Sequence, residues 1–365
     1  MLRKKLNNID ANLISGEKKK KVIFRCDGAT LPEIGTGHIR RCIAIANELV
    51  KCKKCKVEDI SFVSRRTKNY NIGFRLIKTS GFQIEKIPDH KLIWNTKKEA
   101  IALKNLDPVV LIIDRLSTKF NWIKELPSRL VCFDDIGSGA TKADVVINGI
   151  FHKSNNNNNR YIGYKYLFLE NTNKKLTNKK LSSKTSYIVA SFGGYDHRNL
   201  TSFFLDTIKD NVFFLNNRVK IDILVGKGSK QKMNNWKKKI QKLRKKNLLN
   251  IKLLVFVPDF FKKLAKADIA ILSGGITVFN ALYTGTPVIG IAQYKHQLDT
   301  LKNLESYNAV KLGCENMSLK KVDFINSFND LANSKDKRST LKRNGQILID
   351  GKGSSRVINI ISNLL

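Results

Sequence analysis

Short apolar runs rich in β-branched residues recur along this chain at helix-length intervals. Five fall in the first half: Val22–Arg25, Ile60–Val63, Val109–Ile113, Leu130–Phe133 and Val145–Ile147. Five more follow: Tyr187–Ala190, Ile221–Val225, Lys252–Phe256, Ile269–Leu272 and Val288–Ile291. Runs this short suit strands rather than helices, and their continuous apolar character suits strands covered on both faces. Their alternation with helical stretches predicts an α/β protein with two parallel sheets. A chain of 365 residues has room for about two domains. No run approaches the roughly 18 apolar residues of a membrane span.

The polar stretch between the halves sets the boundary near 170–186. It holds five consecutive Asn and then NTNKKLTNKKLSSKTS. The expected division is a basic tail over 1–20, a first Rossmann-like domain over 21–170, a linker over 171–185 and a second Rossmann-like domain over 186–365. The basic N-terminus has no continuous apolar stretch and does not read as a secretory signal, so a cytoplasmic setting is expected.

Lys and Arg number 67 against 30 Asp and Glu, a net charge of +37. Such a balance fits a nucleic-acid binder. However, the Lys residues are spread through the chain beside Asn and Ile, with no recognised nucleic-acid motif, so a compositional bias is the preferred reading. No specific nucleic-acid partner is expected. A basic surface favours anionic ligands and peripheral contact with anionic membranes. The six Cys read as reduced thiols, and Cys52-x-x-Cys55 lacks the second pair a structural zinc needs.

In open α/β sheets ligands bind beyond the carboxyl ends of the strands. The first strand leads into Arg25-Cys26-Asp27-Gly28, then Gly35-Thr36-Gly37-His38, then a helical stretch over Ile39–Leu49 carrying Arg41. The two glycines allow close backbone approach and leave amides exposed at a helix start, a setting for phosphate. His38 at that helix start is expected to be neutral and able to take a proton from water, with Asp27 or Glu33 orienting the ring. The plainer reading is that His38 only caps the helix. The remaining histidines, at 90, 152, 197 and 296, lack such a setting, except His296.

The sixth strand ends in Gly193-Gly194, and the ninth in Gly274-Gly275-Ile276-Thr277, each before a helical stretch. Three glycine-bearing strand ends suggest a ligand held between domains. His296 and Gln297 after the last strand add candidate polar contacts. Asp134-Asp135 reads as a turn or cap rather than a metal pair, and Asp114 stands at a strand end. No G-x-S-x-G elbow, G-x-x-x-x-G-K-S/T loop or G-x-G-x-x-G fingerprint occurs.

FRCDGAT and EIGTGHIRRC resemble the opening of the UDP-2,4-diacetamido-2,4,6-trideoxy-β-L-altropyranose hydrolases of pseudaminic acid biosynthesis and related spore-coat polysaccharide proteins. The resemblance continues through VCFDDIGSGATKADVVIN, ASFGGYDHRNLT and SGGITVFNALYTGTP, over most of residues 21–300. It implies a GT-B fold, two Rossmann-like domains with parallel sheets facing a central cleft. It implies hydrolysis of a UDP-sugar to UDP and free sugar, with no metal or other cofactor. His38 is then the base that activates water. Arg25, Asp27, Gly35, Thr36, Gly37 and Arg41 border the substrate, and Gly193, Gly194, Gly274, Gly275, Thr277, Asn280, His296 and Gln297 complete its site. Three positions depart from the family: Asn280 replaces a ribose-binding Glu, Ile276 an often-found Ser, and Asp114-Arg115-Leu116 an Asp-x-Tyr. The alternatives are a GT-B glycosyltransferase and a non-enzymatic nucleotide-sugar or nucleic-acid binding protein.

Overall fold

A computed structural model describes residues 21–31, 34–85, 94–126, 129–150, 159–170, 180–209, 211–246, 249–255, 257 and 260–365. The first sheet contains β1 (Val22–Arg25), β2 (Ile60–Val63), β3 (Gln83–Ile84), β4 (Val110–Asp114), β5 (Leu130–Phe133), β6 (Val145–Asn148) and β7 (Arg160–Ile162). The second contains β8 (Tyr187–Ser191), β9 (Lys220–Val225), β10 (Asn250–Val255), β11 (Ile269–Leu272), β12 (Val288–Gly290) and β13 (Lys311–Leu312). Every pairing is parallel.

The strand orders are β3-β2-β1-β4-β5-β6-β7 and β10-β9-β8-β11-β12-β13. In both sheets the order reverses at the first strand. The register Val22↔Ile60 and Val22↔Val110 puts β1 between β2 and β4. The loops leaving β1 and β4 therefore diverge to opposite faces and open a crevice at their carboxyl ends. The same holds for β8 and β11.

Side chains alternate between the two faces of each sheet, so each sheet separates two cores. Phe24, Phe62, Ile112 and Val131 fill one face of the first sheet, and Ile23, Val63, Leu111 and Ile113 the other. All ten expected strands form. The three additional strands are two or three residues long and lie at sheet edges. Edge strands lose one layer of cover, so they lack the continuous apolar run that marks the central ones.

The chain crosses between domains twice. Tyr164, Leu167 and Leu169 pack into the core of the second domain. The last helix, Gly353–Ser362, returns to the first, burying Val357, Ile358 and Ile361 beside Phe24, Ile39 and Cys42. At the crossing Ser354 Oγ donates to the Leu169 carbonyl at 2.6 Å and accepts from the Leu169 amide at 3.1 Å. Residues 353–362, expected with the second domain, thus complete the first domain's core, because their apolar stripe finds its cover there. The expected tail over 1–20 and residues 171–179 of the expected linker lie outside the described residues. Among the described residues no helix is long and apolar enough to cross a membrane.

Candidate active site

The loop after β1 closes on itself before the first helix, α1 (Gly37–Lys51). The Ala29 amide donates to the Gly35 carbonyl at 2.7 Å, and Gly35 takes a φ of +58°, which an L side chain resists. Open space lies where a Cβ would stand on Gly35 or Gly37. The N-cap residue Thr36 makes no capping hydrogen bond, and no acidic side chain stands in the first turn. This helix start therefore keeps its amides and its positive dipole end for a ligand.

His38 sits in that first turn, partly exposed. Its Nδ1 lies 2.6 Å from Oδ1 of Asp114, the last residue of β4. Arg41, one turn on, grips the same carboxylate twice, Nε to Oδ2 and Nη2 to Oδ1, both at 2.7 Å. Its Nη1 donates to Asp134 after β5. Burial alone would raise the pKa of Asp114, but Arg41 and His38 outweigh it and hold the carboxyl far below the usual range. A permanent carboxylate at Nδ1 fixes the tautomer with Nδ1–H and leaves the Nε2 lone pair as the acceptor.

The ring is therefore oriented by Asp114, where Asp27 or Glu33 was expected. Glu33, His90 and His152 lie outside the described residues. Asp27 points to the opposite face of the sheet and is saturated there. Its Oδ1 accepts from Arg25 Nη1 at 2.8 Å and from the Arg65 amide at 2.9 Å, while Oδ2 accepts from Trp94 Nε1 at 2.6 Å. Arg25, expected to border the substrate, is fully buried and pairs with Glu99 Oε1 at 2.7 Å. Inward-facing charges at the end of β1 are tolerated because each has a partner. These two residues set the loop geometry instead of presenting polar atoms to solvent.

Asp135 accepts from Thr118 Oγ1, from the Thr118 amide at 3.0 Å and from the Gly137 amide at 2.8 Å, so it organises a turn. Asp134 accepts from Arg41 and from the Gly149 amide at 3.0 Å. Among the described residues no group of three or more His, Cys, Asp or Glu is placed to hold a metal ion.

In the second domain, the loops after β8, β11 and β12 converge. Gly193 has a φ of +80°, and a Cβ on it would face Ser273 Oγ and Gln293 Nε2 at 3.9 and 3.8 Å. Gln293 ties the loops together. It donates to the Phe192 carbonyl at 2.7 Å and accepts from the His197 amide and, through its own amide, donates to Gln297 Oε1, both at 2.9 Å. Gly194 lies against Gly226, where a Cβ would stand 2.2 Å from the Gly194 carbonyl oxygen. Gly274 backs onto the Gln297 carbonyl, whereas Gly275, the N-cap of the helix Ile276–Thr284, faces open space. Thr277 and Asn280, one turn apart on that helix, are half-buried and make no side-chain hydrogen bond among the described residues. His296 is exposed. It stacks on Tyr294 at 5.6 Å, as Tyr195 does on His197 at 5.7 Å.

The structure thus gathers Gly35, Thr36, Gly37, His38 and Arg41 at one switch point, and Gly193, Gly194, Gly274, Gly275, Thr277, Asn280, His296 and Gln297 at the other. Sequence reasoning missed the pairing of Asp114 with His38. No local signal marks it, since only the adjacency of β1 and β4 in the sheet brings the ends of these strands together. It also missed Gln293, Tyr195 and Tyr294.

Two doubly wound parallel domains with a returning C-terminal helix define the GT-B fold. The solved structure of MurG from Acinetobacter baumannii superimposes with a TM-score of 0.68, covering 94% of this chain and 99% of that one at 15% identity. At that identity the likeness speaks for the fold. No protein-family model matches the chain. Among curated proteins, it is 29% identical over 298 residues to the uncharacterized protein MJ1062 of Methanocaldococcus jannaschii, and 25% identical over 277 residues to the spore coat polysaccharide biosynthesis protein SpsG of Bacillus subtilis. These alignments cover 76% and 72% of this chain. The chain spans 56% of the length of MJ1062 and 78% of SpsG.

Proposed function

We propose that this chain is a nucleotide-sugar hydrolase that cleaves a UDP-linked 2,4-diacetamido-2,4,6-trideoxyhexose to UDP and free sugar. The observation that carries this reading is the His38–Asp114 pair, set at a switch point beside an uncapped helix start. The similarity to a polysaccharide biosynthesis protein supports a sugar substrate. UDP is assigned to the glycine loops of the second domain, with Thr277 and Asn280 offering free hydrogen-bonding groups to its hydroxyls. Asn280 gives neutral hydrogen bonds where the resembled family has a carboxylate.

Water attacks the anomeric carbon while His38 Nε2 takes its proton. The bond from that carbon to the diphosphate oxygen breaks, and its electron pair leaves with UDP. Asp114 stabilises the imidazolium that forms, and Arg41 holds Asp114 in place. The amides at the start of α1 face the charge growing on the diphosphate. The reaction in H₂¹⁸O tests this route: label is expected in the sugar and none in UDP. Label in UDP would mean attack at phosphorus and would overturn the mechanism.

A second reading, transfer to an acceptor, is favoured by one feature. Leu116 and Ile136, joined by an Ile136 amide to Leu116 carbonyl hydrogen bond of 2.9 Å, are 36% and 60% exposed just beyond β4 and β5. Such an apolar pair is suited to an acceptor's apolar portion. Release of free sugar at the same rate with and without a polyprenyl-linked sugar acceptor would exclude it.

A further inference from the structure

Across β4 from His38 lies a second cluster of charge that the proposed reaction does not use. Arg115 follows Asp114 directly, so its side chain leaves the opposite face of the sheet. Its guanidinium carbon stands 4.4 Å from the centroid of the Trp94 ring, and that of Arg25 stands 3.8 Å from the same ring. Arg65 joins the group through Asp27, at 3.3 Å from Nε to Oδ2. Three guanidinium groups thus surround two carboxylates, Asp27 and Glu99.

Both carboxylates are already occupied. Asp27 serves Arg25, the Arg65 amide and Trp94, and Glu99 serves Arg25 and the Asn95 amide. Among the described residues Arg115 has no ion pair and no hydrogen bond, and its Nη1 is buried without an acceptor. Nη2 of Arg25, a fully buried side chain, is also without one. Burial and repulsion from Arg25 and Arg65 lower the pKa of Arg115. A half-buried cation with unused donors beside like charges costs stability when empty, a pattern found at binding sites.

We propose that Arg115, held against Trp94 beside Arg25, forms a site for a small oxyanion, a phosphate or a carboxylate, on the face of the first sheet away from His38. The site goes beyond the sugar-cleaving reading, whose diacetamido sugar carries no anionic group besides its diphosphate. The planar donor edge of Arg115 matches either oxyanion. The Trp94 face holds the guanidinium from behind, leaving its edge for the ligand.

The test uses the full chain, with inorganic phosphate and acetate as probes and UDP as control, read by calorimetric titration and thermal unfolding. Wild type is expected to bind at least one probe, with phosphate tighter if the natural ligand is a phosphate and acetate tighter if it is a carboxylate. Arg115→Ala should weaken that binding at least about tenfold, the loss of one charge-assisted contact. It should leave UDP affinity within about twofold. Its melting temperature without anion should be equal to or above wild type, because a repelled charge has gone. Binding of neither probe by wild type, unchanged probe binding in Arg115→Ala, or a parallel loss of UDP affinity would overturn the proposal. So would a lower melting temperature of the empty variant, which marks a structural stack. Failure of wild type to release UDP from a UDP-sugar would instead count against the hydrolase reading and leave these titrations standing.

Discussion

Asp114 and His38, 76 positions apart in sequence, meet through a 2.6 Å contact between Oδ1 and Nδ1. Two strands adjacent in the sheet bring them together, and Arg41 clamps the same carboxylate from one turn further along α1. Replacing the carboxylate with an amide keeps the shape but removes the charge that selects the tautomer. Asp114→Asn is therefore expected to lower kcat for UDP release about 10²-fold or more, with a smaller change in KM. A variant with wild-type kcat would show that the imidazole needs no such partner.

Acid should weaken the protein through the same residue. The native pKa values of Asp114 and Asp27 are lowered, Asp114 by Arg41 and His38 and Asp27 by Arg25, each against the opposing effect of burial. The stability these groups contribute is complete above the ordinary carboxylate pKa, about 4, and drains as pH falls toward their native values. Glu99 acts in the opposite sense, since burial raises its pKa and protonation relieves it. Urea unfolding at pH 6 and pH 3 is expected to show a net loss in wild type. Asp114→Asn should show a loss smaller by about 1 kcal/mol. Equal losses in both would remove Asp114 from this account.

Two neighbouring glycines should respond differently to the same methyl group. On Gly274 a Cβ would stand 2.6 Å from the Gln297 carbonyl oxygen, so Gly274→Ala should cost about 1–3 kcal/mol of stability. On Gly275 the Cβ meets nothing within 4 Å. Gly275→Ala should therefore melt near wild type yet lose UDP affinity, because the methyl occupies space assigned to the ligand. Thermal melts with UDP titrations separate the two effects. Normal UDP binding by Gly275→Ala would move the nucleotide elsewhere.

The returning helix should act as a clasp. Ile361 is fully buried in the first domain's core, and Ile361→Ala is expected to cost about 2–5 kcal/mol. The loss should appear as early hydrogen exchange in α1, against which the helix packs. If exchange changed only in the second domain, the crossing would not carry stability between them.

Much of this architecture was legible because buried parallel strands write themselves as continuous apolar runs, as Val22–Arg25 and Ile269–Leu272 do. The glycine loops were legible too, since Gly35 and Gly193 hold backbone angles that other residues resist. What escaped the sequence was lateral order. Nothing local says that β4 lies beside β1, so Asp114 could be placed at a strand end but not against His38. The resemblance places Arg25 and Asp27 beside the substrate, yet the pleat turns them toward Glu99 and Trp94. Chain position puts residues 353–362 in the second domain, whereas Ile361 is buried in the core of the first.

The central claim is that His38 activates water for cleavage of a UDP-sugar. The most direct test is UDP release from UDP-2,4-diacetamido-2,4,6-trideoxy-altrose in the absence of acceptor, with UDP-N-acetylglucosamine as control, for wild type and His38→Ala. The account predicts release by wild type from the first substrate, and a rate lower by about 10²–10⁴-fold in the variant. Equal release by the two proteins would contradict the role of His38, and no release by wild type would contradict the proposed reaction.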